Sequence, residues 1–360
     1  MKTIPDSGRR AVGDPRLGWA RPGAPRLHHR RDGILPTTAA ALSLPGEPVL
    51  TATAARSGPV PEPHPLVRKV LDGLGPAQRD RHTGRCPEVT LVSRRLTAAD
   101  ASSNGQARRA LKGARITTRH IREDGDPQHG EYARHCHSCT ALLNHFGVRS
   151  ISPVTDATTA LRLPVLKGKA ATGGEDTAAL VEQALVDAGW EPGRCAEESV
   201  LWAAELRNHL SSLGHPHVVV PAAEQLWEEF GSLTVVPRAG GREHVPCQVT
   251  VAPLRGLHAA RTLRDLGQAL GTELTPLGEA GHLGPEGPGV GAGLLAVDEQ
   301  GRVYCVDHTG DWFAGEDLRS ALGALLTGTS TPSSTPFPPT PTRRPCASSP
   351  PASPRSSATS

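Results

Sequence analysis

Apolar residues in the first half of the chain fall partly at helical spacing and partly in short runs. Leu66, Val67, Val70, Leu71 and Leu74, for example, recur every three or four positions, as on one face of a helix. Helices are predicted over 64–74, 87–100 and 136–146. Strands are predicted over 38–44, 49–55, 114–121 and 148–154, the first two joined by a turn at 45–48. This order of elements is typical of an α/β sandwich.

The second half of the chain repeats neither this order nor its spacing. Its pattern predicts helices over 178–189, 199–213, 221–230, 258–270 and 314–326. It predicts strands over 232–237, 246–252, 293–298 and 302–307, the last two forming a hairpin that turns at 299–301. We therefore expect a second, separate domain of the α/β or α+β class.

Composition divides the 360 residues into two domains and three unstructured segments. We expect a disordered basic arm at 1–32, a linker at 155–177 and a disordered Ser/Thr/Pro-rich tail at 329–360. The domains then span 33–154 and 178–328, and we expect each to fold by itself.

The composition also limits where the protein works. No stretch reaches the roughly 18 apolar residues of a membrane span, and the N-terminus has no apolar signal-peptide core. We expect a cytoplasmic protein without membrane contact. The net charge of +3 neither requires nor excludes a nucleic-acid partner, and seven cysteines in so long a chain do not indicate a disulfide framework.

Two short motifs carry candidate chemistry. One is Cys86-Pro87-Glu88, and the other is the pair Cys136 and Cys139, each predicted to begin a helix. Three thiolate ligands leave the fourth position of a tetrahedral zinc open for water, and zinc lowers the pKa of that water to about 7. A nearby glutamate that is not a ligand can then move protons, as zinc deaminases require.

Pro87 makes this geometry possible. Residues two apart on a regular helix face different directions, so one of Cys86 and Glu88 must lie outside helical geometry. The residue before a proline avoids the helical region, while proline suits the first helical position. Cys86 is thus predicted to be the N-cap, with Glu88 in the first turn. Positive helix N-termini at both motifs are expected to lower the cysteine pKa values.

Other interpretations of the cysteines stay open from spacing alone. A structural zinc site would need a fourth ligand, and His82, His129, His135 or His137 could supply it. A thioredoxin-like redox pair would leave no role for Cys86.

From about residue 34 to residue 154 the chain resembles the YwqJ-like deaminases, a group of bacterial toxin-type deaminases. The matching stretches are His64-Pro65, Gly84-Arg85-Cys86-x-Glu88, Gly113-Ala114-Arg115-Ile116-Thr117-Thr118-Arg119, Gly125-Asp126-Pro127-x-His129-Gly130-x-Tyr132-Ala133 and Cys136-x-x-Cys139-x-Ala141-Leu142-Leu143. The resemblance implies a cytidine-deaminase-like three-layer α/β/α fold. It also implies that Cys86, Cys136 and Cys139 bind zinc and that Glu88 is catalytic.

The chain departs from this family at two positions. Pro87 replaces a residue that is usually small, and His135 replaces the proline that usually precedes the second motif. The loop 123–135 is expected to border the site. His129, Tyr132, Arg134 and His135 are its candidate substrate contacts, although a solvated polar loop is the simpler interpretation of each.

The second domain shows no such motif. Cys195, Cys247 and Cys305 lie far apart in sequence and are expected to be buried small apolar residues. Trp190, Trp202, Trp227 and Trp312 are expected to be core residues. A soluble domain of this kind, without visible catalytic residues, favours protein binding.

This half of the chain resembles the third group of the SUKH superfamily, which are immunity-type domains of bacterial toxin systems. The matching stretches are Ala188-Gly189-Trp190-x-Pro192-Gly193-Arg194, Pro221-Ala222-Ala223-x-x-Leu226-x-x-Glu229-Phe230-Gly231-x-Leu233, Leu274-x-Pro276-Leu277-Gly278-Glu279 and Val297-Asp298-x-x-Gly301-x-Val303-Tyr304. The resemblance implies a domain that binds a partner protein such as a cognate toxin.

Together these observations predict a zinc-dependent hydrolytic deaminase of a nucleobase, nucleotide or nucleic acid, fused to a protein-binding domain. The alternative is a non-enzymatic immunity or decoy protein with a degenerate deaminase fold.

Overall fold

The computed structural model of the chain describes residue 25 and residues 37–54, 62–152, 176–209, 215–282, 290–307 and 310–329. The predicted arm at 1–32, linker at 155–177 and tail at 329–360 fall almost entirely outside these residues. Within the described residues, every helix is too short or too polar to cross a membrane.

The first unit, residues 37–152, is a small α/β structure. Its elements are β1 (Thr38–Ser43), β2 (Leu50–Thr53), α1 (Pro65–Asp72), α2 (Pro87–Ala98), α3 (Asn104–Ala110), β3 (Arg115–His120), α4 (His137–Phe146) and β4 (Arg149–Ser150). The sheet order is β2-β1-β3-β4, with β1 antiparallel to both neighbours and β3 parallel to β4. The predicted hairpin is thus present.

One face of this sheet forms the core of the first unit. Along β1 the burial alternates at every residue, so Ala40 and Leu42 point into the core while their neighbours are half-buried. Helix α2 packs on β1 and β2, and α1 contacts α2 and α4. The N-terminal ends of α2 and α4 are therefore held close together.

The second unit, residues 176–329, is built on a larger antiparallel sheet. Its helices are α5 (Thr177–Asp187), α6 (Glu198–Asn208), α7 (Pro221–Phe230), α8 (Ala260–Leu270) and α9 (Leu318–Thr327), with a 3-10 helix at Pro253–Gly256. Its strands are β5 (Thr234–Val235), β6 (Gln248–Thr250), β7 (Leu274–His282), β8 (Val290–Asp298), β9 (Val303–Asp307) and β10 (Gly310–Gly315). The strands follow in the order β10-β9-β8-β7-β6-β5.

Both faces of this second sheet are buried. Along β9, Val303 and Cys305 join a core formed with α5, α7 and α9, whereas Tyr304 and Val306 join a second core against α8. Because successive side chains of a strand point to opposite faces, a strand covered on both sides is apolar at nearly every position. The predicted fold class, a mixed α/β domain followed by an α+β domain, is confirmed.

Several elements differ from the prediction, and each has a physical reason. The prediction missed α3, a short polar helix fixed by a capping box between Ser103 and Gln106. It also missed β7, where the register shifts between Pro276 and Gly278 and so accommodates the proline. Residues 314–317 were predicted as helix but include the end of β10, a strand buried on both faces.

Most of the tryptophans and cysteines that were expected in the core of the second unit are buried or packed against it. Trp227 is fully buried, Trp312 is buried, and Trp190 and Trp202 pack against the same core. The expectation of burial is confirmed for Cys305, but Cys247 is only half-buried. It is wrong for Cys195, which is exposed, because this residue lies in the loop between α5 and α6.

Two leucines of the second unit form a matched test of this core. Leu185 on α5 has no exposed surface, whereas Leu201 on α6 is 68% exposed. We expect Leu185→Ala to lower the free energy of unfolding by about 2–5 kcal/mol, because it leaves a cavity. Leu201→Ala should change it by less than about 0.5 kcal/mol. Urea denaturation measures both, and equal effects would contradict the assigned packing.

Candidate active site

The first turn of α2 brings a thiol and a carboxylate to one place. Cys86 is the N-cap residue with extended backbone angles, φ −73° and ψ 152°, and Pro87 occupies the first helical position. Glu88 follows in the first turn and is buried. The geometry predicted from Pro87 is present, because the proline restricts the residue before it to extended conformations.

The first turn of α4 adds two more thiols. Cys136 is the N-cap of this helix, and its Sγ accepts a hydrogen bond of 3.4 Å from the backbone N–H of Cys139. The Sγ atoms of Cys86 and Cys136 lie 3.6 Å apart. Two sulfurs that each lie about 2.3 Å from a tetrahedral zinc would be about 3.8 Å apart. In the thiol cluster of Cys86, Cys136 and Cys139, the sulfurs of Cys86 and Cys136 therefore have the spacing of two ligands of one metal ion. The sulfurs of Cys86 and Cys139 lie within 4.8 Å of each other and of a Glu88 oxygen.

Hydrogen bonds among the three thiols shift their pKa values. Hydrogen bonds from Cys136 and Cys139 lower the pKa of Cys86. The hydrogen bond from Cys139 lowers the pKa of Cys136, but its hydrogen bond to Cys86 and its burial raise that pKa to about 12. Hydrogen bonds to Cys136 and Cys86, together with burial, raise the pKa of Cys139 well above its usual value. The expected lowering is thus correct for Cys86 and wrong for the other two, because three buried thiols compete for protons.

Glu88 is anchored on one oxygen. Its Oε1 accepts a hydrogen bond of 3.1 Å from the Thr118 hydroxyl and lies 2.6 Å from His135 Nδ1. Its Oε2 lies 3.7 Å from Cys139 Sγ. The carboxylate is therefore fixed with one oxygen toward the thiol cluster.

His135 extends this arrangement toward β4. Its Nε2 lies 2.8 Å from Ser150 Oγ, which in turn lies 3.2 Å from the Tyr132 hydroxyl. The sequence singled out His135 as a departure from the family and as a possible substrate contact. In the structure its ring contacts Glu88 instead.

The histidines that compete for a fourth ligand position are separated by the fold. A ring nitrogen of His82 lies within 4.8 Å of the sulfurs of Cys86 and Cys136, so it could complete a closed site. His129 bonds the backbone of Arg122, and His137 lies against Asp80. Of the four candidates that the sequence offered, His82 thus has the best position.

The loop 123–135 borders a cavity of about 420 Å³ that contains Cys86 and Glu88. Arg134 lines this cavity, as predicted, whereas His129 and Tyr132 are absent from its lining. The opposite wall comes from the second unit, through residues that include Leu254, Arg255, His258, Glu279 and Leu294. Nothing in the sequence indicated that residues of the second unit line this cavity.

A second polar cluster joins the two units beside the cavity. Asp80 Oδ1 lies 2.8 Å from His282 Nε2 and 3.5 Å from His137 Nδ1. Burial alone would raise the pKa of Asp80, but hydrogen bonds from the two histidines hold it well below its usual value. Burial would likewise lower the pKa of His282, but Cys247 and Asp80 raise it well above its usual value.

Nothing in the sequence pattern indicated that the second unit contributes to such a cluster. In the structure, Cys247, His282, Cys305 and Asp307 gather against Arg81 and its neighbours from the first unit. Cys247 and Cys305 are far apart in sequence, but the fold places both of them in this cluster. Cys247 immediately precedes β6, and Cys305 lies on β9, with β7 and β8 between these two strands in the sheet. Both cysteines nevertheless line the same small cavity.

Two family models match the chain in the order of these units. Residues 24–148 match the family described as YwqJ-like deaminase, and residues 178–328 match the family described as SUKH-3 immunity protein. The chain carries a YwqJ-like deaminase domain followed by a SUKH-3 domain. This confirms both resemblances and supports a toxin–immunity context for the protein. No curated protein and no solved structure matches the chain.

The thiol cluster of the deaminase domain can be tested by metal analysis. We expect one zinc per chain and a large loss of zinc in Cys136→Ser, because one of three thiolate ligands is removed. Cys247→Ser in the SUKH-3 domain is the matched control and should keep its zinc. Inductively coupled plasma mass spectrometry measures both.

The same measurement decides the role of His82. Retention of zinc in His82→Asn is expected for an open site. Unchanged zinc in Cys136→Ser would overturn the ligand assignment, and loss of zinc in His82→Asn would make the site closed.

Proposed function

We propose that the protein is a zinc-dependent hydrolase that removes an amine from a nucleobase, free or within nucleic acid, in a bacterial toxin–immunity system. The observation that carries this proposal is the position of Glu88. Its carboxylate lines a cavity large enough for a small ligand, together with Cys86 and Cys136, and its Oε2 lies 3.7 Å from Cys139 Sγ. A cytoplasmic location is part of the proposal.

The metal ligands in this proposal are Cys86, Cys136 and Cys139. Their coupled, buried thiols fit a metal better than isolated thiols would, because a cation compensates the negative charge that they develop on losing protons. When bound, zinc supplies a water molecule acidic enough to act as a nucleophile near neutral pH.

Glu88 moves the protons of the reaction. It takes a proton from the attacking water as the new C–O bond forms at the amine-bearing carbon of the base. It then delivers that proton to the leaving nitrogen as the C–N bond breaks, so ammonia leaves. The second proton of the water passes from the new hydroxyl to the ring nitrogen, which leaves a carbonyl. Its buried position favours this role, since water that is not a reactant is kept away from the carboxylate.

Thr118 and His135 position this carboxylate. Both contact Oε1, so the geometry favours Oε2 for proton transfer on the side of the thiol cluster. His135 is itself held by Ser150. In this proposal the departure from the family at position 135 supports Glu88 rather than disabling it.

The non-enzymatic alternative has an observation of its own. The SUKH-3 domain lines one side of the cavity, as it would in a protein whose deaminase fold only binds. Ammonia release with turnover favours the enzyme, whereas stoichiometric binding of a toxin without turnover favours the decoy. A toxin encoded beside this gene is the partner to test.

The role of Glu88 has a conservative test. Glu88→Gln keeps the size and the hydrogen bond from Thr118 but cannot shuttle a proton. We expect zinc to be retained while ammonia release falls by roughly 10²–10⁴-fold, the usual contribution of a general acid–base group. Loss of zinc from this variant would instead identify Glu88 as a ligand.

His135 has a pair of variants that separate positioning from folding. His135→Leu removes both ring contacts, and we expect kcat to fall by about 10–100-fold with KM little changed, as for other residues that orient a catalytic group. His135→Asn can place its amide nitrogen near the position of Nδ1, so it should restore part of the rate. Equal activity of all three proteins would remove His135 from the mechanism.

A further inference from the structure

The two domains meet through a segment that leads directly to the first zinc-ligand candidate. This segment, residues 79–82 of the deaminase domain, lies against one end of the SUKH-3 sheet. The backbone N–H of Val245 donates to Arg79 O at 2.8 Å, and the Arg81 guanidinium lies 3.4 Å from the centre of the Trp312 ring. Asp80 adds the contact to His282 described above.

These contacts are buried pairs of charged or polar groups, one from each domain. Asp80 is 1% exposed and His282 is 4% exposed. A buried charge without a partner is strongly unfavourable. If one domain were absent, these groups of the other domain would be exposed to solvent or would lose their partners. The two surfaces are therefore complementary in charge.

A second contact lies on the other side of the cavity. Helix α8 begins after Ala259, which has no side-chain oxygen to cap the helix. Glu123 of the deaminase domain takes this place, since its Oε1 accepts from the backbone N–H of Thr262 at 2.8 Å and its Oε2 from that of Arg261 at 3.3 Å. A carboxylate at a helix N-terminus satisfies free N–H groups and interacts favourably with the helix dipole.

The two contacts place the SUKH-3 domain across the cavity. Leu254, Arg255 and Leu294 line the side opposite the deaminase residues Cys86 and Glu88. The same interface reaches α4, because Asp80 accepts a hydrogen bond of 2.6 Å from Ser138 N and its own N–H donates to Ser138 Oγ at 2.8 Å.

We propose that the protein bound by the SUKH-3 domain is the deaminase domain of its own chain, docked in cis over the cavity that contains Glu88. The docked domain leaves room for a ligand of nucleoside size and excludes a nucleic-acid strand. This consequence rests on the proposed function, whereas the docking itself does not. A separate toxin molecule would have to displace the deaminase domain to reach the same surface.

Cleavage between the domains tests the docking without any assay of activity. A protease site is inserted within residues 155–175 of the full chain, the chain is cut, and the halves are applied to a size-exclusion column at micromolar concentration. We expect them to elute together. Separation of the wild-type halves at this concentration would overturn the proposal.

Charge reversal at the α8 cap tests the interface itself. Glu123→Lys, combined with Arg81→Ala, removes the cap and the contact with Trp312, and we expect the cleaved halves to bind at least about 10-fold more weakly. Glu131→Lys is the matched control, since Glu131 is exposed in the same loop. Equal binding by both variants would refute the assigned contacts.

Hydrogen–deuterium exchange distinguishes loss of the interface from unfolding of the double variant. Peptides covering 79–88 and 253–262 should exchange at least about 10-fold faster in the double variant, while peptides from the cores around Leu96 and Leu185 stay protected. Faster exchange throughout would mean unfolding, and the cleaved wild-type protein then decides the question alone. Unchanged exchange at both interface segments in the double variant would contradict the proposal.

An assay of ammonia release distinguishes the docking proposal from the proposed deaminase function. The probes are a mixed-sequence single-stranded oligonucleotide and the four free nucleosides, with ammonia release as the readout. We expect oligonucleotide deamination to rise at least about 10-fold in the double variant, with a smaller change for nucleosides. Equal oligonucleotide rates in docked and undocked protein would overturn the exclusion of strands. Docked halves without activity on any probe would refute the proposed function and leave the docking intact.

Discussion

The meeting of two helix N-termini organises the deaminase domain. Helices α2 and α4 begin at Cys86 and Cys136, whose sulfurs lie 3.6 Å apart in the core. Because N-cap residues have extended backbone angles, both thiols point out of their helices and toward each other. Glu88 follows within the first turn of α2, so the proposed chemistry depends on the packing of α2 against the sheet.

A different constraint shapes the SUKH-3 domain. Its sheet is covered on both faces, by α5, α7 and α9 on one side and by α8 on the other. With both faces buried, the polar groups available for recognition lie at the end of the sheet, where His282 ends β7 and Asp307 ends β9. That end faces residues 79–82 of the deaminase domain. The fold of the SUKH-3 domain therefore determines which of its surfaces contacts the deaminase domain.

Only part of the local geometry of the candidate site could be predicted from the sequence. Pro87 determines the backbone of Cys86 by steric exclusion alone, which is why the position of Glu88 could be predicted from three consecutive residues. The contact between His135 and Glu88 could not, because it depends on how the loop before α4 folds over β3. The choice of His82 among four histidines likewise depends on packing rather than spacing.

The sequence by itself determined the order of the two domains and most of their helices and strands, since these follow from periodicity and short motifs. It also indicated the thiols and the carboxylate of the candidate site, through the two cysteine motifs and the sterics of proline. Only the tertiary structure decided the coupled pKa values of the three thiols, the cap that Glu123 provides to α8 and the pairing of Asp80 with His282. The physical reason is the same in each case. These interactions join atoms from segments that are distant along the chain, and their strength depends on distance and burial, which only the packed domains establish.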